Sequence, residues 1–203
     1  NGVNIFQRNE HFVQFGKEPG SKSLNNNIIN KVFVDEDNCI WVGSDFEGVN
    51  IMAPKNIHFS HSMQTFENGL PHIISCVLED KEGNLLAGMM DGGLAIKMRN
   101  EETFTFHKHR ADVPSSLGHN SITDIVQDFR GDYWISTIGG GIDKLSKNNL
   151  RRPSFEHYTT ENSGLLSNEI HDLYLDTVRN SLWICSSRHI QMLDFATGHI
   201  NRL

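Results

Sequence analysis

Asp128-Phe129-Arg130-Gly131-Asp132-Tyr133-Trp134-Ile135-Ser136-Thr137-Ile138-Gly139-Gly140-Gly141-Ile142 places, in one stretch, an aspartate, a tight turn, a bulky aromatic followed by a small residue, a glycine-rich turn and a further apolar run. The same order recurs around Asp35, Asp80 and Asp176, with spacings of 45, 48 and 48 residues down the aspartate column. The tryptophan column reads Trp41, Leu86, Trp134 and Trp183. A fixed period of this size without helical patterning marks a stacked or radial β-repeat, in which each unit covers its neighbour's apolar face.

One unit reads as four strands. The first carries Ile29, Val32 and Phe33; Ile74, Val77 and Leu78; Ile122, Ile125 and Val126; or Ile170, Leu173 and Tyr174, runs of strand length rich in β-branched and aromatic residues. It ends at the aspartate, and Asn38, Gly83, Gly131 or Asn180 follows where a hairpin turn needs a left-handed residue. The second strand pairs a bulky side chain with a small one: Trp41 before Val42-Gly43, Leu86 before Ala87-Gly88, Trp134 before Ile135-Ser136, Trp183 before Ile184-Cys185. A second turn then leads to a third strand at Gly48, Gly93 and Gly141, or at Arg188-His189 without glycine, and fourth strands are expected at 60–66, 103–107, 154–158 and 198–203. Four antiparallel strands per unit is one propeller blade. The expected fold is therefore all-β, a β-propeller with four-stranded antiparallel blades. Because 2–6 (Gly2-Val3-Asn4-Ile5-Phe6) match 48–52, the reading divides the chain into half a blade at 1–16 and successive blades at 24–66, 70–109, 117–158 and 166–203, a partial ring of about four and a half blades.

Composition narrows the function classes. The chain has 203 residues, 37% of them hydrophobic and 21% charged, with a formal net charge of −7, the profile of a chain able to bury a core. Acidic and basic residues are interspersed, leaving no basic stripe to neutralise phosphates, so nucleic acid is not an expected partner. No apolar run reaches the length needed to span a bilayer, so no membrane insertion by this segment is expected. The three cysteines, Cys39, Cys76 and Cys185, lack metal-ligand spacing and read as small strand residues.

The pattern D-x-x-G/N-x-h-W-h-G/S-S/T-x-x-G-G-h, with h apolar, is clearest at 128–142 and recurs at 35–44, where Glu47-Gly48 replaces the two glycines. It resembles the two-component regulator propeller repeat. That resemblance implies a seven-bladed propeller in the periplasmic sensor region of a hybrid two-component histidine kinase. It also implies an oligosaccharide ligand from polysaccharide breakdown, and a signal passed across the membrane to a kinase. Two departures are Leu86 in the tryptophan column and the fourth unit, which lacks the Gly-Gly turn.

Catalytic and metal readings find little support. The pairs His58/His61 and His107/His109 have no Cys or carboxylate set beside them. Asp35-Glu36-Asp37-Asn38 opens like a calcium loop but has Cys39 at a ligand position and Phe46 at the twelfth. The triple glycine at 139–141 is followed by no Lys-Ser/Thr, and no GxSxG, HExxH or paired-carboxylate motif occurs. No catalytic residue, cofactor or metal is expected.

In a propeller the connector into the first strand and the turn between the second and third strands emerge on one face. That face nominates Asn27, His72, Asn120 and Asn168, with His119, from the entry column, and Asp45, Phe46, Glu47, Met90, Asp91, Arg188 and His189 from the second turns. Amide, imidazole and carboxylate groups beside an aromatic ring suit a hydroxyl-rich sugar. The alternative is that the asparagines only cap turns. Expected partners are an oligosaccharide, and further blades of a parent protein or a second copy at open sheet edges. A protein-interaction propeller without a small ligand is the competing function.

Overall fold

The aspartate that heads each unit is a fastener as well as a turn former. In the computed structural model, which describes residues 2–6, 12–18, 23–35, 38–45, 48–53, 59–62 and 73–202, the Asp128 carboxylate accepts from the Arg130 and Asp132 amides through Oδ1 and from the Trp134 indole Nε1 through Oδ2. Asp35 binds the Cys39 amide and the Trp41 indole in the same way, and Asp176 binds the Val178 and Arg179 amides and the Trp183 indole. The aspartate and tryptophan columns therefore form one device, in which one carboxylate closes the hairpin and fixes the ring of the returning strand. Leu86 has no N–H to offer. Its aspartate, Asp80, gives Oδ2 to the Asn84 amide group and to the Tyr133 hydroxyl of the next sheet.

The strands follow the expected order. They are β1 (Val3–Phe6), β2 (Phe12–Phe15), β3 (Ile29–Val34), β4 (Ile40–Ser44), β5 (Gly48–Met52) and β6 (Phe59–Ser62). Next come β7 (Ile73–Glu79), β8 (Leu85–Met90), β9 (Gly93–Lys97), β10 (Thr105–His107), β11 (Ile122–Gln127) and β12 (Tyr133–Thr137). The last are β13 (Ile142–Leu145), β14 (Phe155–Tyr158), β15 (Ile170–Asp176), β16 (Ser181–Ser186), β17 (Ile190–Asp194) and β18 (Ile200–Arg202). β1 and β2 form a two-stranded sheet, and the others form four meanders ordered β3-β4-β5-β6, β7-β8-β9-β10, β11-β12-β13-β14 and β15-β16-β17-β18. The chain is all-β in blades of four antiparallel strands. Asn38, Gly83, Gly131 and Asn180 all have positive φ, between 53° and 89°, as their turn column requires.

Two compact units share the chain, Asn1–Val77 and Leu78–Leu203, and the division falls inside β7. In the first, Val3, Leu24 and Val42 are buried with Ile5, Phe15, Ile29, Ile40 and Met52 against them. A Cβ at Gly43 would lie 3.2 Å from Ile74 Cγ2, which accounts for the small-residue column. In the second, the sheets of β11–β14 and β15–β18 pack face to face. Trp134, Ile142, Leu165, Ile170, Leu173, Leu182, Ile184 and Leu193 are buried between them. The Trp134 ring meets Tyr158 at 5.1 Å and Phe195 at 5.5 Å between centroids.

The fourth unit's longer turn brings in a cation. Arg179 Nη1 donates to Asp176 Oδ2 at 2.8 Å, and that guanidinium, then the Arg179 amide and the Trp183 indole, hold the Asp176 carboxyl down to about 2. A depressed folded-state value contributes stability above the unfolded value of about 3.9, and the contribution is lost as pH falls through the folded value. NMR carboxyl titration is expected to give Asp176 a midpoint near 2, and Arg179→Ala to move it upward. An ordinary carboxylate midpoint in the unaltered protein would contradict the pairing.

Candidate ligand face

The entry asparagines are built into the joints between successive strand sets. Asn120 accepts the Gly93 amide at its backbone carbonyl and the His109 amide at Oδ1. Asn168 repeats this with the Gly141 and Thr160 amides, and Asn27 with the Gly2 and Lys17 amides. Each asparagine thus ties a second-turn glycine to the residues just after the preceding fourth strand. A Cβ at Gly93 or Gly141 would fall 2.3 Å from the His107 carbonyl oxygen or 2.2 Å from that of Tyr158, so only glycine fits the joint. With one lone pair of Oδ1 taken, these side chains keep their amide NH2 donors and one acceptor site for a ligand.

A second polar column lies one step deeper. Asn50, fully buried on β5, accepts the Asn25 amide at Oδ1, and Gln191 on β17 accepts the Leu166 amide at Oε1, so a neutral side chain pins each incoming connector. Asp143 does the same for Gly118. The second unit has Ala95 at this position.

The structure joins Asp91 and His119 through a residue the sequence reading did not single out. Ser121 Oγ donates to Asp91 Oδ1 at 2.5 Å, and the Ser121 amide donates to His119 Nδ1 at 3.1 Å. Because Nδ1 accepts there, Nε2 carries the proton of the neutral ring and is a donor. Asp91 sits at φ 59°, a left-handed conformation that aspartate tolerates better than most residues. Beneath the imidazole is Gly139, whose added Cβ would lie 3.4 Å from His119 Cδ2. Met90, the residue before Asp91, is 38% exposed. The seam between the β7–β10 and β11–β14 sheets so offers an acceptor, a donor and an apolar contact within a few residues, a set that can grip a polyol. A signal for Ser121 was available in the sequence, since the residue after the entry column is Ile28 or Ile73 in the first two units.

The remaining nominees stand apart from this cluster. Arg188 and His189 lie on the turn between β16 and β17, where the His189 carbonyl accepts the Ser186 amide and His171 Nε2 pairs with Ser187 Oγ at 2.7 Å. Asp45 belongs to the first unit, where Oδ1 accepts from Asn30 Nδ2 and its carbonyl from Asn26 Nδ2. Phe46, Glu47 and His72 lie outside the described residues, as do His58 and Glu36-Asp37. Among the described residues no group of three or more His, Cys, Asp or Glu side chains could hold a metal ion, and no helix is long and apolar enough to cross a membrane.

Comparison with known proteins agrees with this architecture. The model of the two component regulator propeller matches residues 23–46 and 116–139. A histidine kinase of Formosa agariphila is 28% identical over 168 residues, which is 80% of this chain and 12% of the relative, so the chain spans about one eighth of that protein's length. A protein of B. thetaiotaomicron described as the extracellular domain of a hybrid two component system superposes over 100% of this chain and 25% of its own, with TM-score 0.78 and 17% identity. PorZ, a surface component of the type-IX secretion system of Porphyromonas gingivalis, covers 94% of this chain and 28% of its own at TM-score 0.69 and 20% identity. An ancestral GH74 enzyme shares the fold over 94% of this chain and 25% of its own at TM-score 0.65 and 13% identity. Residues 23–46 and 116–139 therefore match the two component regulator propeller, in a chain with a β-propeller fold.

Proposed function

We propose that the chain is a ligand-sensing propeller segment of a hybrid two-component sensor histidine kinase, lying outside the cytoplasmic membrane, in the periplasm, and binding oligosaccharides released from polysaccharides. The observation that carries this reading is the regulator repeat at 23–46 and 116–139 within a chain that aligns over 80% of its length with a histidine kinase. The extracellular setting is supported by the fold likeness to the B. thetaiotaomicron ectodomain. The Met90, Asp91 and His119 cluster supports the ligand class: a carboxylate and an imidazole within reach of one serine, next to an exposed thioether, match alternating hydroxyls and C–H faces of a sugar.

Isothermal calorimetry against a panel of glycan oligosaccharides tests this. Saturable heat with one glycan class is expected, and Asp91→Ala is expected to weaken it by about tenfold, the loss of one hydrogen bond to a charged group. Asn120→Ala is the wrong probe, because it also frees the His109 amide and disturbs the joint. No heat with any glycan, together with a protein that is retained in pull-down, would favour an interaction scaffold instead.

The scaffold reading has its own observation. Tyr174 is 67% exposed and Ile190 52% exposed, whereas Val126, the counterpart of Tyr174 one repeat earlier, packs into the core cluster against β15–β18 residues. Asp124 accepts the Leu173 amide of the next sheet, and Asp172 occupies the same column. A further blade of this repeat, or a second copy, fits that face.

A further inference from the structure

The third blade replaces a neutral clamp by a titratable one. Asn50 and Gln191 pin their connectors with side-chain amides, but β13 carries Asp143, which is fully buried and accepts the Gly118 amide through Oδ2 at 2.7 Å. Directly across the ladder, in register with it, stands His157 on β14. Its Nδ1 meets Asp143 Oδ1 at 2.5 Å and its Nε2 meets the Pro114 carbonyl at 2.8 Å. A carbonyl can only accept, and an ionised carboxylate can only accept, so a ring bonded to both must donate from both nitrogens and is an imidazolium. Asp143 is fully buried and the His157 side chain 27% exposed, so the cation neutralises a buried carboxylate, and removing it leaves that charge uncompensated.

The connector it holds is bolted along its length. Pro114 bonds His157, the Ser115 carbonyl accepts the Phe155 amide, the Leu117 carbonyl meets His109 Nδ1, and Gly118 bonds Asp143. A Cβ on Gly118 would fall 2.8 Å from Asp143 Oδ1, and one on Gly140 would fall 2.8 Å from the Gly118 carbonyl carbon, so the strand enters through a slot with no spare room. The next three residues are His119, Asn120 and Ser121, on the candidate ligand face. The His157 ring is bonded from β13 and from the connector, and a second imidazole, His109, bonds the Leu117 carbonyl of that connector. From β13 His157 faces Asp143; from the connector it faces the Pro114 carbonyl, while Arg110 and Asp112 pair with each other at 2.8 Å. On its own strand Glu156 bonds the Tyr158 hydroxyl.

We propose that residues 114–118 form a pH-sensitive strap, clamped by the Asp143–His157 pair while His157 is protonated and loosened when His157 loses its proton. The direction of the imidazole shift agrees: the Asp143 hydrogen bond raises it above the ordinary value, against some desolvation, with help from Pro114. A raised folded-state value means the clamp's contribution is fully present below the unfolded value of about 6.5 and is lost as pH rises through the folded value. The effect on ligand binding rests on the sensing role proposed above; the strap itself does not.

The experiment reads the strap alone, on the whole chain. NMR titration of His157 is combined with amide hydrogen exchange at Gly118, corrected for intrinsic pH dependence, and with Leu166, pinned by neutral Gln191, as internal reference. Protection of Gly118 is expected to fall about tenfold relative to Leu166 as His157 deprotonates, the loss of one charge-assisted bond. Asp143→Asn, which recreates the amide clamp of the first blade, is expected to lower the His157 midpoint and abolish the pH dependence at Gly118. Should that variant fold poorly, His157→Gln is expected to make Gly118 protection flat with pH. A His157 midpoint at or below about 6.5, or Gly118 and Leu166 tracking each other across the titration, overturns the proposal.

Discussion

Trp134→Ala is expected to destabilise the 78–203 unit by roughly 3–5 kcal/mol, the cost of removing a buried indole from a well-packed interface. The ring is 3% exposed, lies between two sheets against Tyr158 and Phe195, and is fixed by Asp128. Its removal opens a cavity that rigid strands cannot close, and it also strips Asp128 Oδ2 of the indole bond. At about 2–4 °C per kcal/mol for a chain of this length, thermal unfolding should move down by about 6–20 °C. Trp134→Leu is expected to cost less, because Leu86 fills the same column in the second unit with its side chain fully buried. A midpoint within about 2 °C of the unaltered protein for Trp134→Ala, less than the shift for a single kcal/mol, would remove the inter-sheet ring from the account.

Gly141→Ala is expected to cost about 3 kcal/mol or more, combining a left-handed residue with a backbone collision. Gly141 sits at φ 76°, and an added Cβ would approach the Tyr158 carbonyl oxygen to 2.2 Å. Its amide also holds the Asn168 carbonyl, so a shift that relieved the clash would open the joint to the fourth blade. Gly164→Ala separates the two contributions. It has φ 81° but nothing within 4 Å of the added Cβ, so only the conformational cost of about 1–2 kcal/mol remains. Equal losses for the two variants, read by denaturant unfolding, would show that the collision is relieved at no cost and that the joint is softer than described.

Much of this was legible in the sequence because the repeat writes each structural role four times. The aspartate, tryptophan and turn columns predicted strand order, hairpin position and the positive-φ residues Asn38, Gly83, Gly131 and Asn180. What the columns did not reveal were bonds between columns. The indole N–H finding the turn aspartate six residues earlier in Trp41 and Trp134 depends on how the hairpin twists, and periodicity carries no such information.

The candidate ligand face was harder to read for a related reason. A column of asparagines is compatible with binding and with capping, and only coordinates reveal that Oδ1 of Asn27, Asn120 and Asn168 already accepts a backbone amide. Ser121 and Asp143 break their columns, although the His157 position holds His61 in the first blade, and a reading that weighs agreement between repeats passes over residues that differ. In a repeat protein the shared positions build the frame, while chemistry particular to one blade sits where a column is interrupted.

The indole of Trp134 gives the most direct test of the inter-sheet packing on which the fold rests. Nuclear Overhauser contacts from its ring to Phe195 in the following sheet, together with slow exchange of its Nε1 proton, are what the 5.5 Å ring separation and the bond to Asp128 predict. A ring without contacts to Phe195, whose Nε1 proton exchanges at the rate of a free indole, would contradict the blade arrangement and the proposed ligand face built on it.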